Sequence, residues 1–206
     1  MKKVLLSTLA VASSVAVNSA NAYDFNKDVY GHAYGKIGYT FQGYTGVMKD
    51  AIDESEDSKK FTHGLNIGGG YDVYYKLNNF INPFAGLELQ FRIPLTSKVA
   101  KDDRYNYEAK IQEFLKFDAR FGAKMSVCKD VAVSPYVLVG LNAMKYKDTL
   151  DDYSKTKAGL TTGFGVDTII KDRYIAGVEY RYGFNKFDDL KIQSHNFAVN
   201  FGVQFL

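Results

Sequence analysis

The chain has very little of three things, and each shortage excludes a class of protein. Its 206 residues contain one cysteine, Cys128, so no internal disulfide stabilises the fold, and we interpret this residue as an inert turn residue. The 26 basic residues nearly balance the 23 acidic ones, which argues against a nucleic-acid-binding protein. No stretch keeps an apolar period of about 3.6 residues for long, so strands are favoured over helices.

The first 22 residues have the pattern of a secretory signal peptide. Two lysines precede an apolar run at 4–12, and the Ala-Asn-Ala at 20–22 resembles a cleavage site. The apolar run is shorter than the roughly 20 residues that a spanning helix needs, which disfavours a membrane anchor. The sequence therefore predicts a signal peptide at 1–22 and one mature domain at 23–206.

The chain is rich in Tyr, Phe and Gly, at 16, 15 and 18 residues against 3 prolines, and this composition favours strands and turns. Alternation of apolar and polar residues predicts eight strands, each close to the ~10 residues that cross a membrane as a tilted strand. The strands are expected at about 30–42, 63–76, 83–93, 113–125, 134–145, 158–170, 174–185 and 195–206. The long connections, which we expect at one end of the strands, are 43–62, 94–112, 146–157 and 186–194.

One face of these strands is free of charge, in a chain of which 24% of the residues are charged. In the last strand, Phe197, Val199, Phe201, Val203 and Phe205 share this face. The opposite face carries glycines together with Lys, Arg, Asp and Glu. An eight-stranded barrel is just wide enough for side chains to fill, so the bulky uncharged face is predicted to point outward and the Gly-rich charged face inward.

An outward face of Phe, Tyr, Leu and Val indicates a hydrocarbon solvent. Unpaired backbone groups are costly in a bilayer, so the sheet must close and the last strand must pair with the first. The predicted fold class is all-β, an eight-stranded antiparallel up-and-down transmembrane β-barrel. Long connections are expected to be extracellular loops and short ones periplasmic turns, with both termini periplasmic. A soluble secreted barrel with inverted faces, which would bind a small ligand inside, is the alternative that the pattern leaves open.

Three stretches resemble a known family. "GFGVDTIIKDRYIAGVEYRYGF" at 163–184 resembles the hairpin before the last strand in small OmpA-type outer-membrane β-barrel proteins, where a Gly-rich strand, a polar turn and an "EYRY" strand recur. "NPFAGLELQF" at 82–91 and "SPYVLVGLNA" at 134–143 are similar to the Pro-aromatic opening that these families place after a periplasmic turn. The resemblance implies a porin-like or surface protein in the outer membrane of a Gram-negative bacterium. The chain departs from the family pattern in placing Leu206 after Phe205 and in lacking tryptophan.

The inward face holds equal numbers of basic and acidic residues. In a narrow lumen this balance predicts an ion-pair network that plugs the barrel, because unpaired charges away from bulk water are costly. We expect two local clusters, one around Glu88 and Arg120 and one around Asp167 and Arg181. A narrow ion path along the network is the alternative. The predicted lumen residues are Lys36, Asp72, Glu88, Arg92, Lys116, Asp118, Arg120, Asp167, Glu179 and Arg181.

The sequence predicts no catalytic residues, no cofactor and no metal site. His63 and His195 begin strands at the expected outer rim, and His32 lies low on the first strand. Histidines at strand starts are more often polar rim residues, although two of them with loop carboxylates would form a metal or catalytic site, as in a lipid-modifying enzyme. The acidic run at 49–60 matches no calcium or phosphate motif and is interpreted as an exposed loop.

The first functional hypothesis is a non-enzymatic outer-membrane protein with a structural or surface-interaction role, whose extracellular loops stand on a plugged barrel. Its expected partners are the lipid bilayer of the outer membrane and a host or cell-surface ligand at the loops. We expect no nucleic-acid binding and a monomer. The alternative is a small passive porin that conducts ions or small solutes through the Gly-lined lumen.

Overall fold

The secondary structure consists of strands throughout the part of the chain that a computed structural model describes, residues 28–45, 61–102, 107–149, 153–188 and 190–205. No helix in these ranges has the length and apolar character needed to cross a membrane. The signal peptide at 1–22 lies outside them and stays a prediction. The strands are β1 (Val29–Thr45), β2 (Phe61–Tyr75), β3 (Ile81–Pro94), β4 (Lys98–Asp102), β5 (Tyr107–Cys128), β6 (Val131–Asp148), β7 (Tyr153–Ile170), β8 (Tyr174–Phe187) and β9 (Leu190–Phe205).

All strands except β4 form one closed ring. The antiparallel order is β3-β2-β1-β9-β8-β7-β6-β5, and pairing between β3 and β5 completes the circle. The closing ladder joins β1 to β9, from Ala33 opposite Phe205 to Thr45 opposite Gln193. The last strand is therefore fixed almost to the chain end, as its alternation predicts. The predicted eight-stranded up-and-down antiparallel barrel is confirmed.

The strands are longer than predicted on the side of the long connections. β5 has 22 residues, and β6 and β7 have 18 each, whereas about 10 suffice to cross a membrane. β4 lies inside the connection predicted as a loop at 94–112, and within the described residues it pairs only with β5. Alternation missed these extensions because neither face has to be uniformly apolar beyond the bilayer. We call this side the loop end and the opposite side, with the connections 76–80, 129–130 and 171–173, the turn end.

The exposure of the strands follows the predicted faces. Phe201 exposes 60% of its surface, whereas its neighbour Asn200 exposes 1%. A continuous belt of exposed apolar side chains on a folded ring indicates a hydrocarbon environment and excludes the inverted soluble barrel. Further exposed members of this belt are Ile37, Phe41, Leu87, Leu89, Phe117, Phe121, Val137, Val139, Leu141, Leu160, Phe164, Val178 and Phe197.

A tight turn between β7 and β8 shows how local conformation fixes the register. Lys171 and Asp172 have positive φ values of 53° and 50°. The amide of Arg173 donates to the Ile170 carbonyl at 3.1 Å. Two adjacent positive φ values at the centre of such a turn are typical of type I′, whose twist matches that of paired strands. The turn therefore places β7 and β8 in register for their long ladder.

The outward face predicts the effect of placing a charge in the apolar belt. Val139 lies near the middle of β6 and exposes 53% of its surface. Val139→Arg should lower the free energy of unfolding in lipid vesicles by about 2–4 kcal/mol, because a lipid-facing charge is costly at the bilayer midplane. Val127→Arg, at the turn end of β5 and 64% exposed, should cost only about 0–1 kcal/mol. Urea unfolding, followed by heat-modifiable gel mobility, measures the free energy of unfolding of both variants. Equal losses of stability would contradict the position of Val139 at the bilayer midplane.

Candidate functional site: the filled lumen

Charged side chains from opposite walls meet in the middle of the ring, and Glu88 of β3 lies at their centre. One carboxylate oxygen, Oε2, is 3.2 Å from Arg120 Nη1 and 3.4 Å from Lys36 Nζ. The other oxygen, Oε1, is 3.0 Å from Arg181 Nη2. The Tyr34 hydroxyl also donates to Glu88 at 2.8 Å. A single carboxylate, only 1% exposed, thus contacts cations from β1, β5 and β8.

Arg120 extends this cluster towards β2 and β7. Its Nη2 lies 2.8 Å from Asp167 Oδ2, and its Nη1 lies 3.4 Å from Asp72 Oδ2. The guanidinium carbon is 4.0 Å from the centroid of the Tyr136 ring, a cation–π distance. Asp167 also contacts Lys36 Nζ at 2.8 Å. The carboxylate of Asp167 is therefore shared by cations from β1 and β5.

Arg181 extends the same cluster along β5 and β8. Its guanidinium forms ion pairs with Asp118 and with Glu179. Asp118 accepts a hydrogen bond from the Thr161 hydroxyl at 2.9 Å, and Glu179 accepts one from the Tyr136 hydroxyl at 2.9 Å. Each of these two carboxylates has a cation and a neutral donor, and these contacts offset the loss of water on burial.

A second charged group lies nearer the loop end, around Glu113, a carboxylate that strict alternation does not place in the lumen. Glu113 Oε2 is 3.2 Å from Lys116 Nζ and 3.8 Å from Arg92 Nη1. Strict alternation places Glu113 on the outer face, but the register shifts between Glu113 and Leu115. This β-bulge turns the carboxylate inward. The signal in the sequence is the adjacent apolar pair Phe114-Leu115 beside a charge that would be costly against lipid.

All the predicted lumen residues are buried on the inner face. The structure differs from the expected two local clusters, because ion pairs cross the lumen from Lys36 to Asp167 and from Arg181 to Glu88. Long side chains from opposite walls of a narrow ring reach one another, which strand adjacency does not predict. Arg92 contacts the missed carboxylate Glu113 instead of the central cluster.

An apolar cluster fills the ring at the loop end. Val99 of β4 is fully buried in it, so the short strand outside the ring supplies a side chain to the mouth of the barrel. Ile111 and Met144 are equally buried beside it, on β5 and β6. We call this cluster the loop-end cap, and its residues are Tyr44, Val99, Ala109, Ile111, Met144, Tyr146, Phe187 and Ile192.

An aromatic cluster narrows the ring at the turn end. It consists of Tyr74, Phe84, Tyr136 and Leu138, and we call it the turn-end cluster. Outside this cluster, a cavity of about 340 Å³ opens at the turn end. Deeper in the ring, the space beside Arg120 is about 10 Å³, about enough for one water molecule. Residues around the outer cavity include Tyr30, His32, Lys124, Cys128, Lys129 and Asp172.

The histidines take separate positions on the barrel. His32 is buried inside, whereas His63 and His195 lie on the outer rows of β2 and β9. The Nδ1 of His63 is 2.6 Å from the Tyr39 hydroxyl, and that of His195 is 2.7 Å from the Tyr180 hydroxyl. Across the described ranges, no group of three or more His, Cys, Asp or Glu side chains is arranged to hold a metal ion. The rim histidines are therefore best explained as polar partners of interfacial tyrosines.

Comparison with known proteins identifies the family. Residues 7–205 match the model of the outer membrane protein beta-barrel domain. The chain belongs to this family. It is a protein of the bacterial outer membrane, which confirms the predicted resemblance and location.

Individual relatives are more distant. The 25 kDa outer-membrane immunogenic protein of Brucella melitensis biotype 1 is 34% identical over 84 residues, which are 35% of this chain. The match spans 39% of that relative's length. Ail, the attachment invasion locus protein of Yersinia pestis, is 15% identical with a TM-score of 0.45, over 85% of this chain and 99% of that one. The N-terminal β-barrel domain of Pseudomonas aeruginosa OprF is 13% identical with a TM-score of 0.41, over 82% and 96%.

The central position of Glu88 predicts a large loss of stability on neutralisation. Glu88→Gln keeps the shape of the side chain but removes the one negative charge that contacts all three buried cations. We expect the free energy of unfolding in vesicles to fall by about 3–5 kcal/mol, as for other broken buried ion pairs. Asp172→Asn is the matched control, because the Asp172 carboxylate is mostly exposed and its pair with Lys124, at 2.7 Å, should contribute at most about 1 kcal/mol. Similar losses for both variants would show that Glu88 is not the centre of the cluster.

Proposed function

We propose that the protein is a non-conducting outer-membrane barrel with a structural and surface-interaction role. The observation that carries this proposal is the filling of the lumen in successive layers. The loop-end cap, the ion pairs around Glu88 and Arg120 and the turn-end cluster follow one another along the barrel. A barrel filled in this way anchors the segments at its loop end without offering a path through the membrane.

A passive porin needs a continuous aqueous path, and the lumen opposes one at each layer. Apolar side chains in the loop-end cap, such as Ile111 and Met144, offer no partner to a hydrated ion. In the middle layer, Arg181 contacts Glu88, Asp118 and Glu179. An ion could pass only if such multiply bonded side chains left their partners. These contacts support a structural role for the charged residues over an ion path.

The length of the strands supports a role at the cell surface. β5, with 22 residues, is about twice as long as the ~10 residues that span the membrane. The extra residues form a paired wall around the loop-end cap, so the connections stand on a folded base. The connection at 46–60 is rich in Asp, Glu, Ser and Lys. Such a segment suits contact with an outside partner, and a host or cell-surface ligand is the class that we propose.

We also propose that the protein acts as a monomer. Each ring strand has both of its hydrogen-bonded neighbours within the same chain. A second copy is therefore not needed to satisfy the backbone of the ring.

Conductance measurements test the filled lumen directly. The purified protein in planar bilayers should show no steady current under applied voltage, because the three layers leave no aqueous path. A steady current whose ion selectivity changes in Arg120→Glu would support the porin instead. Lys76→Glu, the same charge reversal at an exposed site of the turn end, is the control and should leave any current unaltered.

Antibody labelling tests which end faces outward. Antibodies against a peptide of residues 49–60 should label intact cells, because this connection belongs to the loop end. Antibodies against residues 124–131, at the turn end, should label cells only after the outer membrane is permeabilised. The reverse pattern would contradict both the orientation and the display role.

A further inference from the structure

Two pairs of lysines lie on the outer face of the barrel at the loop end. Lys145 and Lys147 belong to β6, and Lys186 of β8 lies directly opposite Lys191 of β9. All four are exposed. Among the described residues, none of the four is paired with a carboxylate. We call these four residues the lysine patch.

The patch continues the rows that face lipid. On β6, Val139 and Leu141 expose 53% and 51% of their surfaces on the outer face, and Lys145 shares their parity. Lys145 lies four residues beyond Leu141, which is about 13 Å along the strand. On β8, Lys186 follows Phe184 on the same face. The ammonium groups are therefore placed just outside the hydrocarbon, at the depth of the lipid headgroups.

Negative charge nearby would stabilise the arrangement of the lysines. Lys186 and Lys191 face each other across the ladder, and like charges in this position destabilise a sheet. Asp188 lies beyond Lys186, at the tip of the hairpin formed by β8 and β9. Lys186 and Lys191 thus lie nearer the membrane than Asp188 does.

We propose that the lysine patch binds the phosphate groups of anionic lipids in the outer leaflet. Lysine is a compact point charge that binds phosphate well. The patch begins where the apolar belt ends, so a lipid whose chains lie along the belt presents its phosphates to the patch. A soluble polyanion has no acyl chains to lie along the apolar belt, so the belt would not strengthen its binding to the patch. The inference depends on insertion in the outer membrane and not on whether the lumen conducts.

Titration with defined lipids tests the proposal. The purified barrel in neutral detergent micelles is titrated with bisphosphorylated lipid A and with its dephosphorylated form, and native mass spectrometry counts the bound lipid. The wild type should prefer the phosphorylated lipid. Lys145→Gln/Lys147→Gln and Lys186→Gln/Lys191→Gln should each weaken that binding about thirtyfold, which is the order expected for losing two lysines near anionic headgroups. The corresponding Lys→Arg double variants should retain it.

The controls separate this site from general electrostatics. Lys76→Gln/Lys129→Gln removes the same charge at the turn end, where both residues are exposed, and should bind as the wild type does. Heat-modifiable gel mobility identifies folded variants, and either folded double variant suffices for the comparison. Equal binding of both lipid forms, or equal weakening in the turn-end control, would overturn the proposal. Complete displacement of lipid A by soluble inorganic polyphosphate would also overturn it, because the patch would then be a site for soluble anions.

Discussion

The ladder between β1 and β9 is the interaction on which the rest of the structure depends. In hydrocarbon, a backbone amide or carbonyl has no water to bond, so a spanning sheet is stable only when it has no open edge. Thirteen consecutive residues of β1, from Ala33 to Thr45, pair with β9 and remove that edge. Because the ring closes at this number of strands, its diameter is small and its inner face is sealed from lipid. The charges on that face are then stabilised by one another and by neighbouring neutral donors, such as the Tyr34 hydroxyl.

A small lumen can hold these charges only where the opposite wall leaves room. Glycines on the inner face provide that room next to the central cluster. A Cβ atom on Gly70 would lie 2.4 Å from the Tyr34 hydroxyl, the group that donates to Glu88. The inner rows of β2 and β3 therefore combine large polar or aromatic side chains with glycines, such as Gly70 and Gly86. The same glycines that looked like an open lining in the sequence are the space into which the lumen side chains pack.

Much of this arrangement was predictable, since a lipid solvent imposes a strict pattern on the spanning residues. Alternation placed Glu88, Arg120 and Arg181 on the inner face because a charge on the outer face would be costly. It did not place Glu113, since a single extra residue in a bulge reverses the parity beyond it. It did not predict the role of Val99 either, because the loop-end cap gathers residues that are distant along the chain. Pairing across the lumen, as between Lys36 and Asp167, depends on the ring diameter, which no local pattern encodes.

The ion pairs of the middle layer stabilise the barrel more because the layers at both ends keep water away from them. Ion pairs are weak in water because solvent screens them, and they strengthen when water is excluded. The loop-end cap excludes bulk water from one side of the cluster around Glu88, and the turn-end cluster restricts it from the other. The same exclusion makes any unpaired charge in the layer costly, so the ionic residues stabilise the barrel only as a complete set. A wet conducting lumen would weaken these pairs, and a dry stable one blocks ions; stability and conduction therefore make opposite demands on the same side chains.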